Sequence, residues 1–185
     1  MNDKIFTPRF IVILSIIVAG AFMRLVPHWP NFTPIAAMAL FGGATMGKKA
    51  LAFIIPLAAL FISDIFLGFH MDMVAVYAGF VITVIMGLSI RNKVSFGSVI
   101  TRSLLASVIF FLLTNFSSWL TMGFYPKNFL GLMEAYAAGL VFFNNGSYGI
   151  SFFFNEVLGG LSFNALFFGV FYMAKLRFPS LAKAS

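Results

Sequence analysis

The chain has 185 residues, 61% of them hydrophobic and only 9% charged, with a mean hydropathy of +1.01. A water-soluble domain is about 45–50% apolar and about 25% charged, so this composition excludes a soluble globular protein and makes the bilayer its solvent. Twelve Lys and Arg against five Asp and Glu leave a net charge of +7, but the basic residues flank apolar runs, which is a topology pattern and not a nucleic-acid patch.

The N-terminus places Lys4 and Arg9 before an apolar run without a small-residue cleavage site. This reads as a retained first helix over about 8–27, not as a signal peptide. Within it, Ser15-x-x-x-Ala19 is a small-residue spacing that marks a helix–helix contact, internal or with a partner chain. The loop "VPHWPNFTP" follows, and its prolines stiffen the backbone. His28 lies between two of them, and either a structural or a ligand role is open to it. Thr33 before Pro34 predicts a helix cap, with backbone amides free for an anion. A short apolar helix is expected over about 34–46 as one wall of a pocket, ending in Gly42, Gly43 and Gly47, which allow tight helix packing or a sharp turn.

Longer apolar runs predict helices at about 50–68, 73–90, 98–122 and 149–175, with a turn at 142–149 ("FFNNGSYG") before the last. A weaker, Gly- and Ala-rich segment at about 129–143 is too short to span comfortably. It is either a re-entrant or interfacial piece or a seventh span. Charge separates the two. Six spans with a cytoplasmic N-terminus put Lys4, Arg9, Lys48, Lys49, Arg91, Lys93, Arg102, Lys175, Arg177 and Lys183 inside, and only Arg24 and Lys127 outside. A seventh span would export the Lys175–Lys183 cluster. The expectation is therefore an all-α integral membrane fold. It is one domain over 1–185, with six transmembrane helices, one short re-entrant or interfacial segment and both termini cytoplasmic.

The same map gathers polar groups at the outer ends of the helices: Arg24, His28, Asn31, Asp64, Asp72, Asn115, Trp119, Glu134, Asn144, Asn145, Asn155 and Glu156, with Asp3 the one acid inside. A carboxylate in the apolar zone costs about 2.5–3.5 kcal/mol on insertion scales, so Asp64 needs a partner or a wet cavity. Arg24 is the natural partner, either pinning two helices or lining a pocket. Asn155 and Glu156 point about 100° apart, so at least one faces the bundle. Asn115 and Trp119 share a helix face, and with Ser118 they offer an amide, a hydroxyl and an aromatic wall. Glu134 sits on the weak segment as a rim or lid, or as a solvated carboxylate. The candidate substrate-binding residues are Arg24, His28, Asn31, Asp64, Asn115, Trp119, Glu134, Asn155 and Glu156.

There is no cysteine, and His28 and His70 are the only histidines. Thiol chemistry is excluded and a multi-histidine metal site within one chain disfavoured. No phosphate-binding or hydrolase motif appears, so neither a catalytic residue nor a cofactor is assigned, and any ATP energy must come from another chain.

"RLVPHWPNFTPIAAMALFGGA", "PLAALFISDIFLGFH", "TNFSSW", "YP" and a final "LFG" resemble an uncharacterised family of small bacterial membrane proteins described as transport proteins. That family is in turn similar to the substrate-binding S components of energy-coupling-factor vitamin transporters. These are six-helix inner-membrane proteins with a loop and short helix ahead of an S-D-bearing helix, as in "IAAMALFGGA" and "LAALFISD" here. The resemblance implies capture of a vitamin- or cofactor-precursor-like solute beneath the loop after helix 1. It also implies a transmembrane coupling protein and ATPase subunits as partners, beside membrane lipids and without nucleic acid. The helix-1 Ala-x-x-x-Ala of S components is Ser15-x-x-x-Ala19 here, which leaves independent action open. Two other readings stand beside this one. One is a structural or assembly subunit of a larger membrane complex. The other, an enzyme using Asp64 and Glu156, has no supporting spacing.

Overall fold

A computed structural model describes residues 6–141 and 151–181. Asp3, Lys4, Lys183 and the turn expected at 142–149, with Asn144 and Asn145, lie outside the described residues. Among those residues there are seven α-helices, a closing 3-10 turn (Pro179–Leu181) and no strand: α1 (Pro8–Met23), α2 (Ile35–Thr45), α3 (Lys49–Leu67), α4 (Met73–Ile90), α5 (Phe96–Thr121), α6 (Phe129–Val141) and α7 (Phe152–Arg177). Four of them, α3, α4, α5 and α7, are long and apolar enough to cross a membrane. Large apolar side chains such as Ile54, Phe66, Val74, Leu120 and Tyr172 are mostly exposed, a surface suited to lipid and not to water.

Local chemistry explains the helix starts. Thr7 accepts from the Phe10 amide with Pro8 in the first turn, Ser95 and Ser98 cap each other on α5, and Ser151 accepts from the Phe154 amide on α7. The expected end of the first helix at 27 is corrected to Met23. Pro27 disfavours helical backbone just before it, and the chain turns at Arg24, whose side chain goes to α3.

α2 is the centre of the bundle. All eleven of its residues are buried, and it packs on α1, α3, α4, α5 and α7. A helix apolar on every side must be enclosed on every side. Its small residues make that possible. At Gly43 a Cβ would run into Val84 O and come within 3.0 Å of Gly87 Cα, so α2 and α4 cross backbone to backbone. The wall expected at 34–46 is thus a central pillar. Thr33 does not cap it. Pro34 occupies the cap position without a side-chain bond, because Asn31 takes a left-handed turn (φ 61°) that leads the Thr33 amide back to Asn31 O at 3.0 Å.

α5 and α7 run antiparallel, with Ser107 Oγ facing Glu156 O (3.5 Å) and Ser103 Oγ facing Asn164 Nδ2 (3.1 Å). α5 continues well past the start of α7, and α6 covers that overhang. The Tyr136 hydroxyl donates to Leu112 O, and Gly139 lies against Asn115 and Phe111. With 13 residues α6 is about 20 Å long, short of a bilayer core of about 30 Å.

Candidate functional site

The ends of α1 and α3 and the start of α4 meet at a buried ion pair. Arg24 Nη1 lies 2.8 Å from Asp64 Oδ1, with the two side chains 8% and 5% exposed. The guanidinium also donates to Ser63 Oγ and to Leu60 O (3.3 Å), and the Ser63 hydroxyl donates in turn to Leu60 O at 2.7 Å. On the far side the Tyr77 hydroxyl donates to Asp64 Oδ2 at 2.8 Å. Every oxygen of the carboxylate is engaged. This is what a charge in an apolar bundle requires, and it ties three helices together.

A second carboxylate does the same for α4 and α5. Asp72 accepts from Ser117 Oγ (2.7 Å), Ser118 Oγ (3.1 Å) and Thr121 Oγ1 (3.3 Å). Ser118 therefore does not join Asn115 and Trp119 in one pocket: it lies about 100° from Trp119 and serves α4. Asn115 Nδ2 bonds back to Phe111 O (2.9 Å) while its Oδ1 side abuts Gly139 of α6. Trp119 Nε1 donates to Pro126 O at 2.9 Å, and Lys127 lies 5.8 Å from its ring while donating to Trp119 O and Met122 O. Both residues face the α5–α6 hairpin.

The loop after α1 closes on the start of α7. Asn155 Nδ2 donates to Pro30 O (3.0 Å) and Asn31 Nδ2 to Phe152 O (3.4 Å). Gly159 lies so close to Phe32 and the Thr33 amide that a Cβ there would meet them at 3.0–3.2 Å. The α7 backbone thus packs against the loop just ahead of α2, where an anion site was expected. His28 is exposed and, among the described residues, bonds its neighbour's carbonyl, Trp29 O, at 2.9 Å, and Glu134 is exposed on α6.

Glu156 differs from all of these. It is 4% exposed, one turn into α7, and its carboxyl has no hydrogen-bond or ion-pair partner among the described residues. It shares a helix face with Gly160 and Asn164, and this face meets Ser103 and Ser107 of α5. The nine expected site residues thus fall into an ion pair (Arg24, Asp64), a loop clasp (Asn31, Asn155), a hairpin pair (Asn115, Trp119), two exposed groups (His28, Glu134) and one buried carboxyl without a partner.

A model for a family of unknown function, DUF6580, matches residues 4–181. The chain belongs to that family. No curated protein and no solved structure matches it.

Sequence reasoning missed several residues of this DUF6580 chain that organise the site. Tyr77 was hidden in an apolar run, although a Tyr one turn into a helix near an Asp-bearing helix end is a plausible hydroxyl donor. Ser63, adjacent to Asp64, gives no signal of its own in the residue order beyond the S-D pair. The Ser117 and Thr121 hydroxyls, which flank the already named Ser118, carried a legible signal, three donors within five residues opposite a lone Asp72.

Proposed function

We propose that the protein is a membrane transport protein that binds a small solute between α5, α6 and α7, beneath the loop after α1. In this reading it acts as the substrate-binding component of an energy-coupling-factor type importer, with six spans and both termini on the basic, cytoplasmic side. The observation that carries the reading is Glu156. A buried carboxyl without a partner costs several kcal/mol in an apolar medium. A solute that brings a cation or an N–H donor to it removes that cost, so the solute class is an amine- or amidine-bearing small molecule of cofactor-precursor size. Asn155 and Asn31 hold the loop over the site. Arg24 and Asp64 are a latch and do not touch the solute. Ser15 and Ala19 face outward on α1 while Gly20 faces Phe167 and Met38, which supports contact with a coupling protein at that face.

The test is mass spectrometry of small molecules extracted from protein purified in mild detergent. A nanomolar complex, about −12 kcal/mol, survives such handling. An amine-bearing compound near stoichiometry is expected in the wild type and in Glu134→Gln. In Glu156→Gln its affinity should fall about 10- to 150-fold, the worth of a charged hydrogen bond of about 1.5–3 kcal/mol. Equal content in Glu156→Gln would remove the site from this carboxyl. An empty, folded wild type would favour the second reading, a structural subunit of a larger membrane complex, which the saturated Arg24–Asp64 latch and the outward Ser15 and Ala19 also support.

A further inference from the structure

At the opposite end of the bundle a cleft of about 790 Å³ lies between α5 and α7, backed by the last turn of α2. That volume is in the range of ligand sites. Its lining includes three cations, Arg9, Arg91 and Lys175, and no carboxylate. Two of the cations are fixed by the fold. Arg9 donates to Thr45 O (3.0 Å) and Leu181 O (2.8 Å), and Arg91 to Met46 O (2.7 Å) and Gly47 O. The carbonyls at the end of α2 hold both guanidiniums in place. The third, Lys175, touches only rings, its Nζ 5.2 Å from Phe171 and 5.9 Å from Tyr172, and its ammonium has no acceptor among the described residues.

Below the cations the walls turn apolar, with Ile100, Leu161 and Phe168, and the Ser103–Asn164 hydrogen bond lies deepest. Asn164 is eleven residues from Lys175, which places this floor about 16 Å along α7, roughly half of the hydrocarbon core. The flanks are exposed apolar surface, Phe96 on one side and Tyr172 on the other. The cleft therefore opens sideways toward lipid, with positive charge at the interface level and an apolar slot beneath. A single molecule of the bilayer has that layout.

We propose that this cleft binds an anionic phospholipid, its phosphate between Arg9, Arg91 and Lys175 and one acyl chain along Ile100, Leu161 and Phe168. Basic pockets between transmembrane helices recognise anionic headgroups by the same chemistry. The bound lipid would fill the α5–α7 cleft at the end where side-chain packing leaves it open. It would also place its negative charge beside cations that already cap α2.

The experiment is native mass spectrometry of the full chain after exchange into bilayer nanodiscs of equal parts phosphatidylglycerol and phosphatidylcholine. The wild type is expected to retain phosphatidylglycerol over phosphatidylcholine. Lys175→Gln should lower that preference about fivefold, since one basic residue at an anionic surface is worth about 1 kcal/mol. Lys49→Gln removes the same charge at the same end but off the cleft, and should leave the preference unchanged. Gly169→Leu should abolish retention, because a Cβ there meets nothing within 4 Å and the added side chain projects into free space of the cleft. Should that variant fail to fold by its melting curve, Ala165→Leu blocks the same wall. The proposal is overturned by equal retention of both lipids, by an effect of Lys49→Gln as large as that of Lys175→Gln, or by full retention in the blocked variant. A rise in melting temperature with glycerol phosphate as large as with the lipid would overturn it in favour of a free-phosphate site.

Discussion

Where α1, α3 and α4 meet at Asp64, the helices are joined by side chains of opposite charge that satisfy one another. Where α1, α2 and α4 meet at Arg9 and Arg91, cations reach helix-end carbonyls and backbone touches backbone at Gly43 and Gly87. The first junction is neutral and closed. The second keeps its positive charge and stays open on its α5–α7 side. Asp64 lies in the last turn of α3, where the helix offers free carbonyls and no free N–H groups, so its donors come from other helices and that end closes around it. A guanidinium with five donors can cap a helix and still present charge outward, so the basic end does not.

The largest effect that tests this difference is at the closed end. Asp64→Ala leaves Arg24 buried without a counter-charge and should cost about 3–5 kcal/mol, read as a fall in melting temperature in detergent. The double variant Arg24→Leu with Asp64→Leu should recover most of that loss, because an apolar pair of similar volume is close to neutral. If the single variant melts like the wild type, the pair is not what holds the three helices. Next comes the backbone crossing. Gly43→Ala forces α2 and α4 apart and should cost about 1–3 kcal/mol, the range for overpacked interiors, whereas Gly169→Ala, inside α7 with open space at its Cβ, should cost nothing and stabilise by about 0.4–1 kcal/mol. The smallest effect belongs to the basic end. Arg91→Gln removes a charged cap from α2 and should lower stability by about 1–2 kcal/mol. A loss as large as that of Asp64→Ala would mean the two ends are built alike.

The element plan was legible in the residue order. Apolar runs long enough for a bilayer, cut by Pro, Gly and paired charges, predicted helices at 50–68, 73–90 and 98–122 that stand at Lys49–Leu67, Met73–Ile90 and Phe96–Thr121. The need of Asp64 for a cation was legible too, because an ionised group in an apolar run is costly whatever surrounds it, and Arg24 answers it. The same rule marks Glu156, yet composition does not reveal which carboxyl finds a partner.

Long-range geometry decided the rest. α2 reads alone as a short apolar helix, and only the five helices packed on it make it the pillar of the bundle. Ser118 and Trp119 are neighbours in sequence, but helix rotation gives one to α4 and the other to the α6 hairpin. The cleft at Arg9, Arg91 and Lys175 unites residues from α1, α4 and α7 that no local pattern connects. Sequence by itself determined what each segment must avoid, water for the apolar runs and isolation for the charges, because transfer free energies belong to the residues. Tertiary structure decided who meets whom, because in a bundle the partner of a side chain is set by helix register and by how closely glycines let backbones approach.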